Sequence, residues 1–335
     1  MQIEYSGVDN GLNTVLTHLL NKGVEEQSRN GPVLRFTEPV LLKNHAPINR
    51  VSFNPHRDAN PFFHFMEAMW MLAGMNELAP MTFYNSGMSQ YSDDGMTLRG
   101  TAYGRKWRSY FGYDQLELVI ARISSNPEDR RIVMTMWDPY NEWKDPDSKD
   151  ISCNLQILFS TRLQGGQRVL DMTVTNRSND IIYGCLGSNV FHFSMLQEFV
   201  AFHTDLVVGN YYQFANNLHA YTDNPVYKRV VEGAYTPADR PYKDTLTQLG
   251  MTLNANTLRE FVTTGAHNGD AYLKEVGVPI YEAYRVYKLK AKGLNVSRTS
   301  RISMALAIAT ECADESLSAA CQMWLNRKLN KTIEA

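Results

Sequence analysis

Asp150-Ile-Ser-Cys-Asn-Leu-Gln-Ile-Leu-Phe159 and Asp171-Met-Thr-Val-Thr-Asn-Arg-Ser-Asn-Asp-Ile-Ile-Tyr-Gly184 both read as strand, with Gly165-Gly166 between them. Two such runs joined by a short glycine turn predict a hairpin, which brings Cys153 and Arg177 together. A cysteine is a nucleophile only as thiolate, and a fixed guanidinium beside it is expected to lower its pKa. The same guanidinium can bind a phosphate oxygen. Together they imply covalent chemistry on a phosphorylated small molecule.

The rest of the chain limits the setting. It has 335 residues, 44% hydrophobic and 20% charged, the composition of an ordinary globular enzyme. A net charge of −2 gives no basic field for duplex nucleic acid, so an anionic ligand must be met by local arginines. No apolar run approaches the ~18 residues of a membrane span. The N-terminus, Met1-Gln-Ile-Glu-Tyr-Ser-Gly7, lacks the basic and apolar regions of a signal peptide. Cys153, Cys185, Cys312 and Cys321 show no metal-ligand spacing and fit reduced thiols in a cytoplasm.

Working outward from the hairpin, helical spacing marks residues 11–22 and 114–125, and a buried helix is expected over 60–74, with Pro61 in its first turn and Gly74 at its end. Strands are expected at 131–138, 153–163, 168–182 and from Gly209, and a long apolar helix at 189–204. Beyond about residue 225 the texture turns helical. The pattern predicts an α+β fold, a mixed β-sheet packed with helices. Its catalytic core would span 1–224, and 225–335 would be a helical C-terminal extension packed on that core.

Several residues carry chemistry, each with a more ordinary explanation. Arg130-Arg131 can clamp a phosphate, although paired cations at a strand start usually stay in solvent. Neighbours on a strand point to opposite faces, so both reach one ligand only at a strand end or across a subunit interface. Arg177-Ser178 adds a guanidinium and a hydroxyl, and Arg29 beside Gly31 a further arm; Arg35 is the alternative loop arginine. Asn176, Asp180 and Asn189 are polar groups among apolar ones, which backbone bonding usually explains, but a carboxamide also matches a pyrimidine edge. His219 and Tyr221 suit a sugar hydroxyl or a surface turn. Glu67 sits inside a Phe/Met/Trp helix, where a carboxylate must be paired or do proton transfer. Tyr103-Gly-Arg-Lys-Trp-Arg108 reads as a glycine-punctuated loop, and 184–189 as a loose turn.

In order and spacing these segments resemble the thymidylate synthase family. The match runs through Glu67-Ala-Met-Trp-Met-Leu-Ala-Gly74, Tyr103 to Arg108, Arg130 to Trp137, Cys153, Asn176 to Gly184, Asn189 and His219-Ala-Tyr221. The resemblance implies that Cys153 attacks C6 of a pyrimidine nucleotide, making C5 nucleophilic toward a one-carbon unit from 5,10-methylenetetrahydrofolate, with no metal. It places the 5′-phosphate on Arg177, Ser178 and Arg29, with Arg130 and Arg131 arriving from the second subunit of an obligate homodimer. Asn176 and Asn189 would serve the base, His219 and Tyr221 the sugar, and Asp180, Trp70 and Gly184 the folate. Glu67 and Tyr103 would organise water and proton transfers.

Departures from the synthases bear on the product. Asn154 and Ser152 flank the nucleophile where synthases carry His and Pro, the turn before Asn189 is one residue longer, and the closing C-terminal segment is not recognisable in 325–335. A synthase excludes water and delivers hydride; a hydroxymethylase positions water. The pattern favours the bacteriophage hydroxymethylases acting on dUMP, in a host cytoplasm. Thymidylate synthesis, a dCMP or CMP hydroxymethylase, and an inactive nucleotide-binding relative are the alternatives. An unrelated cysteine hydrolase is disfavoured because no histidine neighbours Cys153 in sequence.

Overall fold

Gly165 and Gly166 make the turn the sequence predicts: both have positive φ, 58° and 83°, as a two-residue hairpin turn requires. The computed structural model describes residues 1–145, 147–237, 245–289 and 296–333. Chain order begins β1 (Gln2–Tyr5), α1 (Val8–Lys22), β2 (Val24–Ser28), β3 (Gly31–Arg35), β4 (Val40–Asn44) and α2 (Pro61–Leu72). It continues α3 (Ala79–Tyr84), a 3-10 segment Ser86–Tyr91, α4 (Tyr103–Arg108), α5 (Gln115–Ser125), β5 (Val133–Thr135) and α6 (Pro139–Lys144). The hairpin is β6 (Asn154–Gln164) and β7 (Gln167–Asn176), followed by β8 (Asn179–Asp180) and a π-helical stretch Ile181–Ser188. Then come α7 (Asn189–His203), β9 (Val207–Ala215) and β10 (Leu218–Tyr221).

Two mixed sheets result. The larger has the order β1-β4-β9-β7-β6-β5 and the smaller β2-β3-β10-β8. The expected strand 168–182 is therefore two strands: β7 ends at Asn176, and the chain crosses to the second sheet before Asn179 pairs with Leu218. The expected strand 131–138 shortens to Val133–Thr135. Tyr103–Arg108 is a helix rather than a loop, because its buried Lys106 and Arg108 find hydrogen-bond partners in the core and Trp107 packs against Phe193.

Every residue of α2 is buried, and its start is fixed by the Asn60 side chain accepting from Phe63 N with Pro61 behind it. Helix α7, buried from Val190 to Ala201, packs across it, so the two form the centre of the core. The C-terminal helices are α8 (Pro225–Glu232), α9 (Thr245–Leu249), α10 (Ala255–Thr264), α11 (Val278–Lys288), α12 (Arg298–Ala309) and α13 (Glu315–Ile333). They extend the same core: Phe65 meets Phe261 and Tyr272, and Phe62 meets Tyr284 and Trp324. Arg327 and Lys328 on α13 both pair with Asp58, just before α2. No helix among the described residues is long and apolar enough to cross a membrane.

Candidate active site

Cys153 stands at the mouth of β6, where a bulge between Asn154 and Gln156 interrupts the ladder with β7. Bulges re-aim side chains, and this one lies beside the nucleophile. The segment before it is tied down at three points. Asp150 accepts the backbone amides of Arg99, Gly100 and Thr101 at 2.6, 2.9 and 2.8 Å. Ser152 joins a buried ion pair: Lys106 Nζ lies 2.6 Å from Glu142 Oε1 and 2.5 Å from Ser152 Oγ, while Ser152 N donates to Glu142 Oε2. The Tyr103 hydroxyl then accepts the amides of Cys153 and Asn154 at 3.3 and 3.4 Å. Lys106 and Glu142 escaped the sequence reading, since charged residues on two unrelated short helices give no local sign that they meet.

Arg177 does lie beside the nucleophile. Its backbone N–H donates to the Cys153 carbonyl, and its guanidinium donates to Ser152 O and Ile151 O at 2.8 and 3.2 Å. Two of five donors are used, which leaves the outer edge for an anion. The expected lowering of the thiol pKa is corrected here. Burial pushes the Cys153 thiol up; Arg177 and the more distant Arg29 pull it down but do not prevail, and Asp150 and Glu142 add to the rise. The resting thiol is therefore protonated, and the thiolate fraction rises with pH. Cys185, Cys312 and Cys321 are buried. Iodoacetamide is thus expected to label Cys153 selectively, at a rate climbing about tenfold per pH unit through neutrality. Mass spectrometry of labelled peptides checks this, and a rate independent of pH would mean an already ionised thiol.

The influence of Arg29 on the thiol places the β2–β3 turn near the site. Arg35 is engaged elsewhere, bonded twice to Glu26. Arg130 and Arg131 are exposed, Arg131 turned back onto Asp129, and neither is among the main groups acting on the Cys153 thiol.

A line of three amides runs into the site. Asn176 Nδ2 donates to the Phe214 carbonyl at 3.0 Å, Asn179 Nδ2 to Asn176 Oδ1 at 3.1 Å, and Asn189 Nδ2 to Asn179 Oδ1 at 3.3 Å. A backbone carbonyl can only accept, so the first amide is fixed and each fixes the next. Asn189 is left with a free Oδ1 acceptor and one free N–H. Asn176 is buried and bonded at both ends, to Phe214 O and to Asn179 Nδ2. Gly184 belongs to the same line, because a Cβ there would lie 2.2 Å from Asn179 Oδ1. The segment that leads into Asn189, Ile181–Ser188, is π-helical with a kink at Leu186 and Gly187, whose backbone angles are non-helical.

The smaller sheet brings the remaining groups to one edge. His219 and Asp180 are register partners; His219 Nδ1 is 3.0 Å from Asn217 Oδ1, burial lowers its pKa, and its ring is 5.1 Å from that of Tyr221. Burial raises Asp180 to about 6, opposed by the Tyr183 amide it accepts and by Arg57. Arg57, unforeseen, donates to Ile182 O and stacks over the Tyr183 ring. Tyr91, also unforeseen, lies within electrostatic reach of Tyr221, Asp180, Tyr183 and Cys153 while 47% exposed, so its ring borders the opening. Trp70 is corrected: it is wholly buried, its indole donating to Glu77 O, and offers no surface to a ligand. Glu67 and Tyr103 face each other's surroundings through His192, whose ring lies 6.1 Å from Tyr103 and whose Nδ1 lies 3.8 Å from Glu67 Oε2.

The family model described as thymidylate synthase matches residues 12–266. A deoxyuridylate hydroxymethyltransferase of Pseudomonas phage M6 is 36% identical over 97% of this chain and 94% of its own length. One from Bacillus phage SP01 is 35% identical over 58% of this chain and 52% of its own. A thymidylate synthase of Streptococcus suis is 28% identical over 56% of this chain and 64% of its own. The crystal structure of thymidylate synthase from T4 phage shares the fold, with a TM-score of 0.52 at 20% identity, covering 67% of this chain and 80% of that one.

Proposed function

The chain belongs to the thymidylate synthase family, and from that premise we propose that it transfers a one-carbon unit to C5 of dUMP and releases 5-hydroxymethyl-dUMP. The amide line carries the choice of base. With Nδ2 committed to Asn179, Asn189 can accept from the uracil N3–H and donate to O4. Cytosine offers the opposite pattern at both atoms and would need the amide reversed. The choice of product is supported by the extension: the phage M6 relative is matched over 97% of the chain, helical tail included, and the S. suis synthase over 56%.

Cys153 attacks C6, and the free edge of Arg177, with Ser178 and Arg29, holds the 5′-phosphate. His219, kept neutral by burial, and Tyr221 take the sugar hydroxyl. The co-substrate 5,10-methylenetetrahydrofolate supplies the one-carbon unit as an electrophile. The residues present fit it: the half-buried Asp180 carboxylate can accept from pterin N–H groups, with Tyr183, Arg57 and Tyr91 around it. Arg130 and Arg131 complete the phosphate site from a second subunit. A homodimer is supported by the uncovered face of the larger sheet, where Val133, Leu158, Thr173, Tyr212 and Lys43 form one register row and Phe214 is 38% exposed.

Incubation with dUMP and methylenetetrahydrofolate tests the reaction. A mass gain of CH₂O with tetrahydrofolate released is expected; a gain of CH₂ with dihydrofolate would make the chain a synthase. Asn179→Leu tests the base assignment. Freeing the Asn189 amide is expected to lower the preference for dUMP over dCMP roughly tenfold in kcat/KM. An unchanged preference would detach base choice from the amide line.

A further inference from the structure

Around Tyr103 the interior holds polar atoms that no neighbour satisfies. Among the described residues, Glu67 Oε2, both ring nitrogens of His192, the Trp107 indole N–H and both amide atoms of Asn154 lack hydrogen-bond partners. These side chains are nearly inaccessible, with Glu67 at 6%, His192 at 2%, and Trp107 and Asn154 at 0%. They are also neighbours. The His192 ring lies 6.1 Å from Tyr103 and 6.4 Å from Trp107, and the Asn154 backbone N–H reaches the Tyr103 hydroxyl. Buried polar atoms in a dry interior are strongly disfavoured, and so dense a set is the lining of a water site. The 3.8 Å between His192 Nδ1 and Glu67 Oε2 is too long for a direct bond and suits two groups sharing one water. Tyr103, already accepting two backbone amides, keeps its own proton to donate.

We propose that His192, backed by Glu67, holds beside Cys153 the water that adds to the methylene group at C5, and thereby sets the product. The inference rests on the hydroxymethyl reading above. In this step the water oxygen bonds to the exocyclic CH₂, and the π pair moves through C5 onto the C4 carbonyl as an enolate. The enolate collapses to re-form the carbonyl and the C5–C6 double bond, and the C6–S pair leaves as the Cys153 thiolate. His192 takes the proton of the water, Glu67 faces the imidazolium, and the proton passes to the departing thiolate. Nothing is oxidised or reduced.

His192→Phe and His192→Gln, assayed in single turnover with dUMP tritiated at C5, separate this role from packing. The C5 proton is lost before water adds, so tritium release reports the steps up to the methylene and product reports the addition. His192→Phe is expected to bind dUMP within about threefold of the parent and release tritium at a similar rate. 5-Hydroxymethyl-dUMP should form at least about a hundredfold more slowly, with added thiol capturing the methylene as a thioether. His192→Gln, which can still hold a water, should recover part of the product rate. Equal slowing of tritium release and product in both variants, loss of dUMP binding in both, or unchanged product formation would each overturn the proposal. A parent protein that yields dTMP and dihydrofolate would instead fail the hydroxymethyl reading, before any variant is made.

Discussion

Cys153→Ala is expected to abolish turnover, by at least about 10⁴-fold, while dUMP binding changes by less than about threefold. The asymmetry follows from where the groups stand. The phosphate and base contacts proposed above lie on Arg177, Ser178, Arg29 and Asn189, and none depends on the thiol. The backbone of residue 153 is held independently, its amide by the Tyr103 hydroxyl and its carbonyl by the Arg177 N–H. Truncation to Ala therefore removes the nucleophile and leaves its frame. No other cysteine can substitute, since Cys185, Cys312 and Cys321 are buried, with thiols pushed far up by burial. Cys153→Ser should fail as well, because a neutral hydroxyl is a far weaker nucleophile than a thiolate and an alkoxide a far poorer leaving group from C6. Initial rates with calorimetric dUMP binding decide the matter. Retention of even about 1% of turnover by the Ala variant would place the covalent step elsewhere, and a parent that binds dUMP but shows no turnover would favour a binding module.

The hairpin, the buried helix α2 and the position of Cys153 were legible because their signals are local. A glycine pair, alternation on either side of it, and Asn-Pro before an apolar run each constrain their own neighbourhood. The second sheet was not legible. Its strand β8 is two residues long and is defined by pairing with Leu218 and His219, a contact set by topology rather than pattern. Helix α4 was hidden for a related reason, since its polar residues are stabilised by partners far off in sequence. His192 is different. Phe191-His-Phe193 in an apolar helix carries the same signal that singled out Glu67, a titratable side chain among aromatics, and the same rule applied evenly would have found it. The thiol pKa was misjudged because a sequence shows that a guanidinium is near but not that the site is enclosed.

The second large effect is expected at Glu142. Glu142→Ala should cost about 3–5 kcal/mol of stability, because it strands the buried Lys106 ammonium without its counterion. Against a typical total of about 5–15 kcal/mol this is severe. Lys106 and Glu142 side chains are 1% and 4% exposed, so solvent cannot stand in for the lost carboxylate. The pH dependence distinguishes this cause from a mere cavity. Burial already lowers the Lys106 pKa, and loss of Glu142 lowers it further. Between that depressed value and the ordinary lysine range the unfolded chain binds the extra proton, so the variant should regain stability as pH rises through the window. Lys106→Met combined with Glu142→Leu removes both charges and should recover most of the loss in urea melts. Turnover should not recover with it. Glu142 also accepts the Ser152 amide and Lys106 meets the Ser152 hydroxyl, and without them the residue preceding Cys153 keeps only its bonds to Gly100 O and Arg177. If the double variant regained activity together with stability, the ion pair would serve the fold alone and the nucleophile would be positioned by Tyr103 and Asp150.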